Sequence, residues 1–292
     1  MIAQIIINGL IAGFLWGLVA LGFSIIYSTA RFLHAAHAAT YLVGAYTGIL
    51  LMRNASVTGG TAILAAMGIA VALGILIEIG IYRPLRKAGS SSSILFLSSL
   101  ASVIITQNIV GLIFGSEIQV ARRYAERDSI QVLGARISSW QALSVGIAAS
   151  LFIITWGLVR FTQIGRKTCA IATDPDLAEI VGINRGITLM LTICFGSALA
   201  GGAGFLICYD TGVTPISGFG VLLIGVTAAI VGGIGSIPGA MLGGLLVGIA
   251  QHLSVWKIPP QWQDAIVFLI LILFLFVRPQ GFLGKPLRKV AV

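Results

Sequence analysis

Charged side chains are scarce in this sequence: Asp, Glu, Lys and Arg together make up 9% of its 292 residues. Soluble globular chains carry roughly a quarter charged residues, so the composition excludes an ordinary water-soluble domain. No charged side chain occurs from Ile2 to Ala30, and none occurs between Asp210 and Lys257. A membrane crossing needs about 20 apolar residues. Both stretches are long enough to cross a membrane.

Cysteine and histidine are also rare, with three of each. Cys169, Cys194 and Cys208 are scattered, without a Cys-x-x-Cys pair and without neighbouring histidines. This spacing excludes a zinc site and a disulfide framework, and we expect no metal site. Basic residues outnumber acidic ones, 18 against 9. The cations lie in short segments between apolar runs, which indicates membrane insertion and not binding to nucleic acid.

The sequence lacks the residue patterns of an enzyme. No serine and histidine have a spacing that indicates nucleophilic catalysis. The nucleotide-binding loop Gly-x-x-x-x-Gly-Lys-[Ser/Thr] is absent, and the segment from Gly165 to Thr168 is only superficially similar to its end. We therefore expect a non-catalytic chain with no catalytic residue and no cofactor of its own.

Apolar runs are the dominant feature that is present. They predict an all-α polytopic membrane protein of about 8–9 transmembrane helices, some broken by Gly or Pro, in a single domain covering residues 1–292. The predicted spans lie near residues 2–28, 34–52, 61–81, 94–115, 140–159, 187–208, 220–236, 239–255 and 262–277.

Three basic clusters predict the cytoplasmic side by the positive-inside bias. They consist of Arg83, Arg86 and Lys87; of Arg160, Arg166 and Lys167; and of Arg278, Lys285, Arg288 and Lys289. An even number of spans must separate any two of them, so residues 211–256 are expected to cross twice. The segment from Glu117 to Arg136 then lies outside, and we expect a plain loop there.

Glycine is abundant and is placed at helical spacing. Three series of small residues recur every four positions, which predicts flat helix faces that let backbones approach closely; they are Gly9, Gly13 and Gly17, then Gly196, Ala200 and Gly204, then Gly235, Gly239 and Gly243. Between two predicted spans the glycines and a proline are concentrated. We interpret these residues as a hinge, formed by Gly232, Gly233, Gly235, Pro238 and Gly239.

One polar segment between spans predicts a short helix. Asp174 is suited to cap it, Pro175 to begin it and Gly182 to end it. The apolar residues Leu177, Ile180 and Val181 would share one face. A helix lying on lipid is one interpretation. Its acidic residues favour the other, a helix that docks into a groove on a cytoplasmic partner.

Several motifs resemble one family along nearly the whole chain, the permease subunits of branched-chain amino acid ABC transporters. The matching segments are Glu78 to Arg86 with its Tyr-Arg-Pro-Leu-Arg run, Gln107-Asn108, Ala172-Thr173-Asp174-Pro175 with Gly182-Ile183-Asn184, Gly232 to Ala240, and Arg278-Pro279-Gln280-Gly281 followed by Phe282-Leu283-Gly284. One segment departs: the family has Phe-Ala-His-Gly where this chain has Ala35-Ala36-His37-Ala38.

The resemblance implies ATP-driven import of a branched-chain or other hydrophobic amino acid, or of a related amide, urea or carboxylate. It implies a bacterial inner-membrane subunit whose partners are a second, different permease chain, two cytoplasmic ATPases that bind ATP and Mg, and a periplasmic solute-binding protein. The loop at about residues 161–186 would couple to the ATPases. The coupling residues would be Asp174, Pro175, Leu177, Ala178, Ile180, Val181 and Gly182.

Polar residues inside the predicted spans leave two questions open. His37, Gln107 and Asn108 either bond between helices or line the solute path. Glu78 is expected to form a structural ion pair near Arg83. An ion-coupled secondary transporter, using Glu78 or His37, remains the alternative function, because such carriers also use Gly/Pro-broken helices.

Overall fold

The computed structural model describes residues 2–54, 57–121, 129–132 and 134–284, and these form a helical membrane protein. A π-helical turn, Glu78–Tyr82, joins α3 to α4, and a 3-10 turn, Pro260–Trp262, precedes α12. The α-helices are α1 (Ile2–Ala30), α2 (His37–Asn54), α3 (Gly59–Ile77), α4 (Arg83–Lys87), α5 (Ser92–Phe114), α6 (Ser139–Phe161), α7 (Gln163–Thr173), α8 (Pro175–Ile180), α9 (Arg185–Thr211), α10 (Ser217–Gly232), α11 (Ile237–Ser254) and α12 (Gln263–Val277).

Each of the nine predicted spans corresponds to one helix of this structure. Within the described residues, 7 helical segments are long and apolar enough to cross a membrane. The remaining two are α10, which is apolar but shorter, and α2, whose hydropathy is lowered by His37, Arg53 and Asn54. The all-α polytopic fold is therefore confirmed, and the count of 8–9 spans holds approximately.

Helices α1 and α9 form the centre of the bundle, and their small residues bring neighbouring backbones into contact. A Cβ built on Gly9 would lie 2.9 Å from Ile249 Cα, and one built on Gly13 would lie 2.7 Å from Leu245 Cα, both on α11. On α9, a Cβ built on Gly196 would lie 2.8 Å from the carbonyl oxygen of Gly22 on α1. The first two of the three predicted small-residue series are therefore packing surfaces. In the third, Gly243 packs against Ala228, but Gly235 lies in the turn before α11, so that series is not one continuous helix face.

The connection between α1 and α2 folds back into the bundle. Helix α1 ends at Ala30, where Arg31 takes a left-handed conformation with φ 56°. Six residues later, His37 Nε2 lies 3.2 Å from Val19 O. Val19 is about 16 Å before the end of α1, from the helical rise. The short connection is therefore re-entrant, and Ala35 and Ala36 within it are completely buried.

We call the end of the bundle at which α1 ends the inner end and the opposite one the outer end. At the outer end, two strands form an antiparallel hairpin, β1 (Ser129–Val132) and β2 (Ala135–Ser138). Gln4, near the start of α1, bonds to the backbone of Arg136 at 2.8 and 2.9 Å. The expectation of a plain loop was wrong here, because residues 129–132 and 135–138 pair as antiparallel strands, with Ile130 opposite Ile137. Residues 122–128 and 133 of that predicted loop lie outside the described residues.

The contact between α2, α3 and α9 at Gly201 gives a direct test of this packing. A Cβ there would lie 2.7 Å from Ala66 O and would overlap the Cβ of Ala70, whereas one at Gly157 on α6 would meet nothing within 4 Å. We expect Gly201→Ala to lower the free energy of unfolding by about 1–3 kcal/mol, the usual cost of overpacking. Unfolding by denaturing detergent measures it. Gly157→Ala is the control, and equal stability of the two variants would contradict the packing.

Candidate functional site

The segment between α6 and α9 lies at the inner end and carries the short helix α8. Asp174 separates α7 from α8 and caps the second helix, since its Oδ1 accepts hydrogen bonds from the N–H groups of Asp176 (3.1 Å) and Leu177 (3.0 Å). Pro175 occupies the first helical position, where its missing N–H costs nothing. The start of α8 is therefore fixed by its own sequence, as predicted.

The end of α8 is closed equally tightly. Gly182 has φ +84°, a conformation that glycine adopts without steric cost. Its N–H donates to Glu179 O at 3.0 Å, and the N–H of Ile183 donates to Ala178 O at 2.9 Å. These two bonds form the glycine-terminated closure that satisfies the last carbonyls of a helix. The predicted termination at Gly182 is confirmed.

Three apolar side chains of this short segment point away from the protein. Leu177 is 57% exposed, Ile180 81% and Val181 67%. Ala178 differs from them, because it is 3% exposed and packs inward. Of the residues predicted to couple, Leu177, Ile180 and Val181 therefore form an outward surface, which we call the α8 knob. Ala178 holds the helix against the bundle.

The α7–α8 segment is tied to α1 by one cation. Arg31 Nη2 donates to Ala172 O (3.3 Å) and Thr173 O (3.2 Å), the last carbonyls of α7. A cation at this position also complements the negative end of the helix dipole. On the other side, Asn184 Oδ1 accepts from Ile187 N at 3.0 Å and caps α9. The α8 knob is thus held between two fixed helices.

The predicted hinge forms a tight turn between α10 and α11. Ser236 Oγ accepts from Gly239 N at 3.1 Å and caps α11, with Pro238 in the first turn. Gly232 and Gly239 face each other, and a Cβ on either would overlap the carbonyl of the other. Gly233 and Gly235 have positive φ, 103° and 84°. The turn is confirmed, while motion about it remains a prediction.

The C-terminal motif, from Arg278 to Gly284, packs directly onto this turn. The N–H of Phe282 donates to Val231 O at 2.9 Å, and that of Leu283 donates to Gly232 O at 3.0 Å. Both acceptors are carbonyls at the end of α10, which would otherwise lack partners. Two motifs that are separate in the sequence therefore form one structure. Lys285, Arg288 and Lys289, assigned to the third basic cluster, lie outside the described residues.

The residues predicted to line a solute path do not come together. His37 is completely buried, and its Nε2 lies 3.2 Å from Val19 O. Gln107 is half-buried on α5. Asn108 lies on the exposed face of α5, where its Nδ2 donates to Ile104 O at 2.7 Å. His37 is therefore an interior packing residue, whereas Asn108 faces outward.

A buried polar cluster near the re-entrant connection was not predicted. Tyr82 Oη and His34 Nδ1 lie 3.1 Å apart. Glu78 pairs with Arg86 and not with Arg83, so the predicted ion pair exists with a different cation. The π-helical turn from Glu78 to Tyr82 changes the register of the helix between these groups. Within the described residues His34 Nε2 and Glu78 Oε2 have no hydrogen-bond partner. No local sequence signal reveals this cluster, because it joins His34 to Tyr82, which are 48 positions apart in the sequence.

Comparison with known proteins decides the family. The family described as "Branched-chain amino acid transport system / permease component" matches residues 5–275. The chain belongs to this family. It is 32% identical over 296 residues to the high-affinity branched-chain amino acid transport system permease protein LivH of Salmonella typhimurium, covering 97% of this chain and 96% of the relative. It is 33% identical to BraD of Pseudomonas aeruginosa, a protein of the same description, with the same coverage.

A solved structure shares the fold. A chain of "PsaBC from Streptococcus pneumoniae in complex with Fab" superimposes with a TM-score of 0.53 at 14% identity, over 96% of this chain and 97% of that chain. Together with the seven apolar helices, the family membership identifies a multi-pass membrane protein of the permease class.

The cap of α8 can be tested alone. Asp174→Ala removes the side chain that accepts two backbone N–H bonds, which costs about 1 kcal/mol of helix stability. We expect about fivefold faster amide hydrogen exchange over 175–182, the factor that corresponds to 1 kcal/mol. Glu179→Ala, which removes an exposed carboxylate without touching the cap, is the control. Unchanged exchange in Asp174→Ala would contradict the capping role.

Proposed function

We propose that this chain is the membrane-spanning permease subunit of an ATP-driven importer in a bacterial inner membrane. It forms part of the path for a branched-chain or related hydrophobic amino acid and works by alternating access. The observation that carries the proposal is the α8 knob, a short, doubly closed helix that presents three apolar side chains at the inner end.

The chemistry of the knob favours a protein partner. Apolar side chains on a rigid helix suit a hydrophobic groove. The same short segment exposes the carboxylates of Asp174, Asp176 and Glu179, and an anionic lipid surface would repel this charge. The partner at this position is a cytoplasmic ATPase, one of two in the assembly. ATP and Mg bind to the ATPases, and this chain has no nucleotide-binding loop.

The outer face of α5 is the proposed contact with a second permease subunit. This face is apolar and exposed, with Leu97, Ile104 and Leu112 along one stripe. Asn108 lies within the same stripe. An amide facing lipid is costly and commonly marks a solute pathway or a helix contact. The solute path therefore runs along this face between two subunits, one of them a different chain, and a periplasmic binding protein delivers the solute at the outer end.

The solute is a small, largely apolar amino acid or a related amide, urea or carboxylate. The relatives named above are branched-chain amino acid permeases, which supports the first of these. The departure at Ala35–Ala38 lies in the buried re-entrant connection. It changes packing there and does not alter an exposed lining, so it gives no reason to prefer another solute.

The ion-coupled carrier is the weaker candidate. Such a carrier requires an acidic or histidine side chain that is free to gain and lose its ion at the midplane. Here Glu78 is paired with Arg86, and His37 is packed against the backbone of Val19. A carrier also has no use for a docking helix.

Substitution of the knob tests the docking role. In Leu177→Asp with Ile180→Asp, two carboxylates would enter an apolar groove, at a cost of several kcal/mol. We expect the protein to remain inserted, to lose its ATPases on purification and to lose at least about tenfold of its ATP-dependent uptake. The control is Asp176→Asn with Glu179→Gln on the same helix, which leaves the apolar contact intact. Normal uptake by the aspartate variant would refute docking.

Substitution of Asn108 tests the solute path. Asn108→Leu removes the one amide from the apolar stripe, and we expect uptake to fall about tenfold, equivalent to about 1.4 kcal/mol. Ser150→Leu on α6 is a matched control, since Ser150 is also exposed and also bonds to the carbonyl four residues before it. Initial uptake rates are the measurement. Equal rates in the two variants would remove Asn108 from the path.

A further inference from the structure

An apolar cavity of about 140 Å³ lies at the inner end, beneath α7. Its walls come from α1, α6, α7 and α9, and include Ile25, Leu158, Ile164, Leu191 and Phe195. Leu158, Ile164 and Leu191 are partly exposed, so the cavity is open on one side and a hydrocarbon chain can enter it. The shape and lining of this cavity therefore suit an apolar occupant.

The threonines of the lining do not change that conclusion. Thr162 Oγ1 donates to Leu158 O at 2.6 Å, and Thr168 Oγ1 donates to Ile164 O at 2.9 Å. Thr192 Oγ1 donates to Leu189 O at 2.8 Å and lies 3.0 Å from the hydroxyl of Thr29. Each hydroxyl is thus engaged within the protein. A polar solute would find few free hydrogen-bonding groups in the cavity.

The position of the cavity indicates which apolar molecule is at hand. Helix α7 is amphipathic: Gly165, Thr168 and Ile171 are buried, whereas Arg166 and Lys167 are exposed. An amphipathic helix of this kind lies along the membrane surface. At the adjacent end of α6, aromatic rings mark the interface, with Trp156 and Phe161 in edge contact at 5.9 Å. Lipid acyl chains are therefore the neighbouring hydrocarbon.

Two cations, Lys167 on α7 and Arg185 at the start of α9, lie within two helical turns of residues that line the cavity. Lys167 lies three residues after Ile164, which puts the two on neighbouring positions of α7. Arg185 lies seven residues before Thr192, which places it on the same stripe of α9, two turns nearer the inner end. The Arg185 side chain is partly exposed and forms no hydrogen bond with the described residues, so its guanidinium is available to a phosphate oxygen.

We propose that this cavity binds an anionic phospholipid. A segment of one acyl chain lies in the cavity between α7 and α9, and the phosphate contacts Lys167 and Arg185. The lipid thereby fills the space under α7, the helix that leads into α8. This inference does not depend on ATP-driven transport, because it concerns only the lining, the charges and the bilayer.

Neighbouring cations on this face provide matched controls. Arg166 is adjacent to Lys167 in sequence, but the helical turn of 100° per residue points it away from the cavity. Arg160 is stacked over the ring of Trp156, 5.3 Å from its centroid, and is engaged there. Removal of either charge changes the surface charge as much as removal of Lys167 does, without removing the proposed contact.

The experiment titrates the delipidated transporter, purified with its associated subunits, with dioleoyl phosphatidylglycerol or dioleoyl phosphatidylcholine. Native mass spectrometry counts the bound lipids. We expect one tight phosphatidylglycerol per copy of this chain, weakened about fivefold in Lys167→Gln and in Arg185→Gln, the effect of one cation at a lipid surface. Arg166→Gln and Arg160→Gln should bind as the unaltered protein does.

A second pair of variants tests the acyl-chain cavity. Leu191→Trp fills it and should abolish the tight site, whereas Ile187→Trp, on the exposed surface one turn away, should not. Equal affinity for the two lipids, equal loss in Lys167→Gln and Arg166→Gln, or unchanged binding in Leu191→Trp would each overturn the proposal. If Leu191→Trp does not fold, the two charge variants still decide.

Discussion

Contact between helix backbones is the constraint on which the rest of this structure depends. In a bilayer the lipid tails are as apolar as the side chains, so helices associate through close packing and not through burial from water. Helix α1 meets α11 at Gly9 and Gly13 and meets α9 at Gly22, and α9 in turn meets α2 and α3 at Gly201. These contacts leave no room for a Cβ. They fix the two central helices, and the other helices pack around them.

The inner end of α1 then positions both segments that we connect with transport. Arg31 bonds to the last carbonyls of α7, which leads into α8. About two helical turns earlier, Ser24 Oγ accepts from Gly235 N at 2.8 Å, in the turn between α10 and α11. The C-terminal motif packs on the same turn. The inner end of α1 therefore contacts both the segment that leads into the α8 knob and the turn between α10 and α11.

Local features of this architecture could be predicted from the sequence, and long-range ones could not. The cap at Asp174, the closure at Gly182 and the turn at Gly233 and Gly235 depend on contacts a few residues apart, so residue type and spacing were sufficient. The apolar runs similarly located the nine helices that correspond to the predicted spans. By contrast, Arg31 and Thr173 are separated by 142 positions in the sequence, and nothing local indicates that they meet.

The candidate path shows the same limit. His37 and Asn108 are both polar residues within predicted spans, and their sequence surroundings do not distinguish them. The structure does, because the re-entrant connection buries His37 while Asn108 lies on the outer stripe of α5. The pairing of Glu78 with Arg86 likewise depends on the π-helical turn between them. The helical pattern of the sequence gives no sign of that π-helical turn.

The most direct test of ATP-driven import is a flux measurement on proteoliposomes that contain the chain with its co-purified subunits and binding protein. Radiolabelled leucine is supplied on the side of the binding protein, with ATP on the side of the α8 knob and no ion gradient. ATP-driven import predicts accumulation that requires hydrolysable ATP and persists when ionophores are added. Accumulation driven by a proton or sodium gradient, in the absence of ATP, would contradict it.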